Sequence, residues 1–180
     1  GMPLVWLSKW LGNPLKERVT GQDLFPLLLK ALDNAQLSVY LLGGEHGVAW
    51  KAADKIKKEH PHLHIAGISD PIIYTKGESL ENAAERDLLI LEDINKSAPD
   101  VLLIQLGNPK QEIWFDRVRN HLKVPVSIGI GGSFERYVGT VSRAPRWMQK
   151  IGLEWFYRLI KEPKRLWKRY AGDFFKMSYY

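Results

Sequence analysis

Asp100-Val101-Leu102-Leu103-Ile104-Gln105-Leu106 runs straight into Gly107-Asn108-Pro109-Lys110-Gln111-Glu112-Ile113-Trp114, and this stretch decides the fold. Its first half is a short apolar run bounded by turn residues, the pattern of a strand buried on both faces. Gly107 permits a sharp turn, Asn108 stands at the expected N-cap and Pro109 at the first helical position. Trp114, Val118 and Leu122 then recur at helical spacing. A strand, a tight turn and a helix with free N–H groups pointing past the sheet edge make the place where parallel α/β sheets bind ligands, anions above all. Lys110 and Gln111 add a cation and an amide to the first turn. Asn108 and Gln111 also have the spacing of a capping box, in which each side chain satisfies the other's backbone donor. On residue types alone, capping and ligand contact stand side by side.

Outward from this stretch the same alternation continues. Residues 38–43 read as a buried strand with Gly43-Gly44-Glu45-His46-Gly47 as its exit loop. The following helix places Val48, Ala49, Ala52, Ala53 and Ile56 on one face and Lys51, Asp54, Lys55 and Lys58 on the other. Pro61 stops it, and residues 63–68 are the next strand. Residues 70–79 read as a loop, 80–96 as a helix, and 126–131 as a fourth strand ending in Gly131-Gly132. Thr20 with Asp23 marks a helix start leading into residues 24–35. Strands alternating with helices predict an α/β fold, a Rossmann-like parallel sheet with helices on both faces. One feature departs from that pattern: the chain opens with a short helix over residues 3–11, ended at Gly12, where such folds open with a strand. Either the sheet begins late or an upstream part is missing.

The 180 residues suffice for one domain with a core and an appendage. The chain has no cysteine, which excludes disulfides and cysteine-ligated zinc. No apolar run approaches the roughly 20 residues that span a bilayer, and no signal-peptide pattern is visible, so a cytoplasmic protein is the expectation. The net charge of +6 is unevenly placed: ten of the 26 Lys/Arg but three of the 20 Asp/Glu fall from Arg143 onward. That last fifth therefore carries +7 and the rest of the chain −1, and it also holds three of the seven Trp and four of the seven Tyr. In it Leu166, Trp167, Tyr170, Phe174 and Met177 share a helical face, with Arg165, Lys168, Arg169 and Lys176 away from it. Such a helix either packs on its own domain or favours an anionic membrane surface.

Gly43-Gly44-x-x-Gly47 has part of a dinucleotide-binding fingerprint, but no acidic residue is expected to close a second strand at the right distance. The glycines serve either a tight turn or a nearby phosphate or sugar. His46 lacks a second ligand at metal spacing, and His60, His62 and His64 flank a proline at a strand start, where a solvated edge is expected.

Gly107-Asn108-Pro109-Lys110-Gln111-Glu112 resembles the Gly-x-Pro-Lys-Gln-Glu signature of the TagA/WecG/CpsF family of bacterial cell-surface polymer glycosyltransferases. Gly131-Gly132-Ser133-Phe134, Gly139 and Arg143-Ala144-Pro145 resemble its glycine-pair and Arg-Ala-Pro segments. Gly152-Leu153-Glu154-Trp155 and Glu162-Pro163 resemble its Gly-Leu-Glu-Trp and Glu-Pro signature. Thr20-Gly21-Gln22-Asp23-Leu24 and Leu41-Leu42-Gly43-Gly44 fit its earlier half, so the resemblance covers the whole chain in order.

The resemblance implies a Rossmann-like domain over residues 1–142, N-terminally incomplete, with a basic, aromatic, helical appendage over 143–180. It implies transfer of a hexosamine-type sugar from a UDP-sugar to a lipid-diphosphate-linked acceptor, in cell-surface polysaccharide or teichoic acid synthesis, at the inner face of the plasma membrane. Gly43, Gly44, Gly107, Asn108, Lys110, Gln111, Gly131 and Gly132 would line the substrate pocket. Arg18 would meet the diphosphate, and Glu154 would reach the uracil or ribose or else form a structural salt bridge. Arg143, Arg158, Arg165 and Arg169 would cover the site or engage the lipid diphosphate, which suits guanidinium forks. No cofactor and no metal are expected, since the family is understood to work without one and the sequence has no Asp-x-Asp. The family's base is an Asp just ahead of the segment resembling Gly1-Met2-Pro3, so the 180 residues alone are expected not to catalyse transfer, and Gly1 would be native or a cloning scar. The alternatives are a non-catalytic UDP-sugar-binding or assembly domain, and a basic nucleic-acid-binding module that would bind in a salt-dependent way and ignore UDP. The expected partners are the UDP-sugar, the lipid-linked acceptor and an anionic membrane, with no nucleic acid; self-association is open.

Overall fold

A computed structural model describes residues 2–45, 47–73, 83–161 and 163; the side chains of residues 3, 4, 150 and 158 fall outside that description. The described residues form two compact units: Val19–Val141, and the residues up to Arg18 together with those from Ser142 on. The expected domain division at 142/143 adjoins the second boundary, and the first eighteen residues group with the appendage.

The larger unit is a four-stranded parallel sheet in the order β2-β1-β3-β4. Its strands are β1 (Ser38–Gly43), β2 (His64–Ser69), β3 (Val101–Gln105) and β4 (Val126–Gly129). Around it lie α2 (Gly21–Asn34), α3 (Val48–Glu59), α4 (Ala83–Ser97), α5 (Lys110–Val118) and α6 (Ser133–Val138). All five β3 residues are buried, because the strand is central and covered on both sides. Alternation sends Val39, Leu41, Val101 and Leu103 into one core layer with Phe25 and Leu29 of α2, Ala49, Ala52 and Ile56 of α3, and Phe134 of α6. Tyr40, Leu42, Leu102 and Ile104 enter the opposite layer with Ile90 and Ile94 of α4 and Trp114 and Val118 of α5. The five α3 positions expected on the inner face are the five that are buried.

The strand ends differ slightly from expectation. β4 stops at Gly129 and, among the described residues, pairs with β3 alone; Ile130 N–H still donates to Ile104 carbonyl at 2.9 Å before the chain turns. β2 runs one residue further than expected, to Ser69. Thr20 caps α2 as read: its Oγ1 accepts the Asp23 N–H at 3.3 Å and donates to Asp23 Oδ2 at 2.6 Å. Residues 80–82 of the expected fourth helix lie outside the described residues.

Side chains pin the layers together. Tyr40 is fully buried and its hydroxyl donates to Asp93 Oδ2 of α4. Burial, with that carboxylate beside it, pushes the phenol well above its ordinary range. Its ring crosses Gly67 of β2, where a Cβ would stand 2.4 Å from the ring. On the other face Tyr137 of α6 donates to Glu59 Oε2 at 2.6 Å, and Lys55 Nζ donates to the Tyr137 carbonyl at 2.6 Å.

The smaller unit contains α1 (Met2–Trp10), α7 (Arg146–Lys150) and α8 (Glu154–Lys161). The helical opening of the chain is thus real, and Gly12 ends it at φ +77°. Gly152 lies under the Trp6 ring, 2.7 Å from where its Cβ would be, so only glycine fits there. The amphipathic tail face (Leu166, Trp167, Tyr170, Phe174, Met177) and its basic residues lie outside the described residues. Among the described residues no helix is long and apolar enough to cross a membrane.

Candidate functional site

Connecting β1 to β2 through α3 takes the chain one way along the sheet, and β3 then returns to the other side of β1. The strand order therefore reverses between β1 and β3, and the crevice beyond their C-terminal ends is where open α/β sheets place ligands. Gly43 pairs with Gln105 across this point, and Gly44 N–H donates to the Gln105 carbonyl at 2.7 Å. A Cβ on Gly43, whose φ is +93°, would meet that carbonyl oxygen at 2.4 Å. Only glycine allows the backbone to come this close.

The predicted turn after β3 sits at the same end. Gln111 N–H donates to the Gly107 carbonyl at 3.0 Å, and Lys110 is exposed in the first turn of α5. The expected cap is corrected: Pro109, not Asn108, is the N-cap of α5, Lys110 is its first residue, and no side chain caps it. The reciprocal capping box does not form, because the Gln111 N–H is already satisfied by Gly107 and the Asn108 amide reaches Glu112 Oε1 instead, at 3.4 Å. The Asn108–Pro109 peptide bond is cis. Gln111 Nε2 donates to the same Glu112 oxygen at 2.9 Å. Desolvation opposes ionisation of Glu112, but the bonds from Gln111, its own N–H and Asn108 outweigh it and hold the carboxyl below the usual range. The Gln111 amide lies over Gly129 of β4, where a Cβ would stand 2.8 Å from Nε2. Its Oε1 is buried and has no hydrogen-bond partner among the described residues, so a polar acceptor is held ready at the strand ends.

The loop after β4 completes this side. Gly131 has φ +55°, Gly132 precedes α6, and the Phe134 ring reaches within 3.4 Å of a Cβ position on Gly44. The α2 N-terminus joins it, since a Cβ on Gly21 would lie 2.7 Å from the Ile130 carbonyl oxygen. The structure thus brings Gly43, Gly44, Gly107, Asn108, Lys110, Gln111, Gly131 and Gly132 to one end of the sheet.

Sequence reading missed three residues here. Gln105 is buried, Glu135 binds its amide at 2.6 Å, and Asp70 closes β2. The expectation that no acidic residue ends the second strand is corrected: because β2 continues to Ser69, Asp70 stands at its end, and its Oδ2 accepts the Gly47 N–H at 3.0 Å. The signal for Gln105 was a polar residue at the close of an apolar strand. Glu135 and Asp70 had no local signal.

Arg18 and Glu154 pair with one another within the smaller unit, Nη1 to Oε2 at 3.0 Å. Arg143 precedes buried Ala144 in the same unit. Arg158 is on α8, but its side chain, like Arg165, Arg169 and His46, lies outside the described residues. His62 and His64 are exposed, as expected of a solvated edge. Among the described residues no group of three or more His, Cys, Asp or Glu is arranged to hold a metal ion.

A parallel sheet covered by helices, with its glycine turns gathered at the switch point, defines a Rossmann-like α/β protein. The chain belongs to the glycosyl transferase WecG/TagA/CpsF family, whose model matches residues 1–180. It is 36% identical over 169 residues to an N-acetylglucosaminyldiphosphoundecaprenol N-acetyl-beta-D-mannosaminyltransferase of Bacillus subtilis. It is 34% identical over 169 residues to the enzyme of that name from Bacillus spizizenii. Both alignments cover 94% of this chain but 61% of the relative, so the chain spans less than two thirds of the length of these relatives.

Proposed function

We propose that the chain belongs to a glycosyltransferase that moves an N-acetylhexosamine from a UDP-sugar to a lipid-diphosphate-linked acceptor in cell-surface polymer synthesis. The observation that carries this reading is the gathering of the Gly43-Gly44 turn, the Gly107–Gln111 turn and the Gly131-Gly132 loop at one switch point. Close backbone approach there suits a diphosphate, and the Lys110 cation and the α5 N-terminus suit its charge. Gln111 Oε1, buried and without a partner among the described residues, suits a hydroxyl or amide donor on the nucleotide or sugar. The names of the two relatives support the sugar class and a diphospholipid acceptor.

Mechanistically, an acceptor hydroxyl must lose its proton as it attacks the anomeric carbon while UDP leaves. A positioned base contributes about 10²–10⁴-fold to such a step. Both Glu135 oxygens already accept bonds, from Gln105 and Glu45, and Glu112 Oε1 accepts from Asn108 and Gln111. On the family resemblance, the base is assigned to the Asp expected just ahead of the segment resembling Gly1-Met2-Pro3. Developing charge on the leaving diphosphate is assigned to cationic side chains and backbone N–H groups rather than to a metal. The arginines of the C-terminal segment are assigned to the lipid diphosphate, and the protein to an anionic inner membrane face.

The test uses the full-length protein with UDP-N-acetylhexosamines and a lipid-diphosphate acceptor carrying N-acetylglucosamine, with and without a chelator. Transfer that persists in the chelator is expected. UDP binding without turnover by the full-length protein would favour a non-catalytic binding domain, and absence of UDP binding would overturn the donor-site assignment.

A further inference from the structure

Gln105 ends a strand that is otherwise wholly apolar, and only 4% of it is exposed. A leucine would suit that position in the core better, so a buried amide there requires partners. It has both of them on α6. Oε1 accepts the Phe134 N–H at the start of α6, and Nε2 donates to Glu135 Oε2 at 2.6 Å. The second Glu135 oxygen accepts the Glu45 N–H from the β1 exit loop at 3.3 Å. Gln105's own carbonyl accepts the Gly44 N–H at 2.7 Å, and a Cβ on Gly44 would stand 3.2 Å from the Gln105 amide nitrogen. The side chain therefore ties the end of β3 to the start of α6, and Glu135 and Gln105's own carbonyl carry the tie on to the β1 exit loop. The task needs a donor and an acceptor at fixed separation on a neutral group, which among side chains of this length only glutamine supplies.

We propose that Gln105 is a positioning residue of the donor site, its amide clamping the Gly131–Glu135 turn against the Gly43–Glu45 turn. The inference rests on the donor-site reading above. The clamp touches no ligand; it sets the separation of two glycine turns between which a diphosphate would lie. An aliphatic side chain would leave the Phe134 N–H and a Glu135 oxygen without their bonds, and a carboxylate would face Glu135 directly.

The test measures UDP affinity by calorimetry for the full-length protein and three variants, with thermal unfolding recorded alongside. Gln105→Leu and Gln105→Glu should each weaken UDP binding about tenfold, the scale of one lost buried hydrogen bond. The double variant Gln105→Glu with Glu135→Gln reverses donor and acceptor yet preserves every bond: the new carboxylate accepts from Phe134 N–H and from the new amide, whose oxygen still accepts from Glu45. It should return affinity to within about threefold of the parent, which loss of packing alone would not do. Unchanged binding in both single variants, or a double variant as weak as Gln105→Glu, overturns the proposal. A parent that does not bind UDP overturns the donor-site reading and this inference with it. Should the single variants fail to fold, amide exchange decides: the parent's Phe134 N–H should exchange slowly and slow further with UDP, and an exchange rate indifferent to UDP overturns the clamp.

Discussion

Arg18 Nη1 lies 3.0 Å from Glu154 Oε2, an ion pair between residues 136 positions apart in the chain. Glu154 is nearly buried and Arg18 is one-fifth exposed, so removing the Glu154 carboxylate takes a close counter-charge from a mostly buried guanidinium. The pair is the salt bridge that stood beside a nucleotide contact in the expectation for Glu154. Glu154→Ala should lower stability by about 1–3 kcal/mol, below the full cost of breaking a buried pair because Arg18 retains some solvent. Chemical denaturation checks this. UDP affinity should change less than threefold, and a larger loss would return Glu154 to the ligand site.

Gln111→Glu tests the turn after β3. The new carboxylate would face Glu112 Oε1, which the amide now meets at 2.9 Å, and would add negative charge where a diphosphate is proposed. UDP binding should fall by at least about tenfold, and transfer by the full-length protein should fall with it. Equal UDP titrations for parent and variant would remove Gln111 from the site.

Acid stability offers a separate check on the fold. Hydrogen bonds from the Ser38 hydroxyl and from the Ser38 N–H hold the Asp100 carboxyl below its ordinary range, outweighing desolvation. A depressed folded value means that this stabilisation is present above the unfolded value, near pH 4, and is lost as pH falls through the lower folded one. Burial acts oppositely on Asp87, raising its value despite the attraction of Arg117, so its protonation works against part of that loss. Asp100→Asn should lower stability at neutral pH and flatten the acid limb of a pH–stability curve. Parallel acid limbs for parent and variant would contradict the Ser38–Asp100 assignment.

The basic C-terminal segment predicts lipid binding. Replacing Arg165, Lys168 and Arg169 by Gln should weaken binding to anionic vesicles by about 1 kcal/mol per charge at low salt. Vesicle sedimentation that is the same for both proteins, or absent in both, would remove the membrane assignment.

The fold was largely legible because its signals are local. An apolar run of strand length, Gly107 behind it and the recurrence of Trp114 and Val118 define a strand-turn-helix whatever surrounds them. The inner face of α3 could be read in the same way, from Val48 to Ile56. The motif glycines could be placed at strand ends because each follows an apolar run, and the family resemblance assembled them in order. What tertiary structure decided are the relationships between distant segments. Asn108 has the type and spacing of a cap, yet it turns to Glu112, because the carbonyl of Gly107 had already taken the donor that a cap would use. Gln105 reads as an odd residue at the end of a strand, and only the return of α6 gives its amide two partners. Arg18 was expected at a diphosphate and Glu154 at the nucleotide or in a salt bridge, and folding pairs the two with one another. Periodicity and turn chemistry are encoded within a few residues, whereas a buried polar group's partner is chosen by whichever distant donor or acceptor the packing delivers to it.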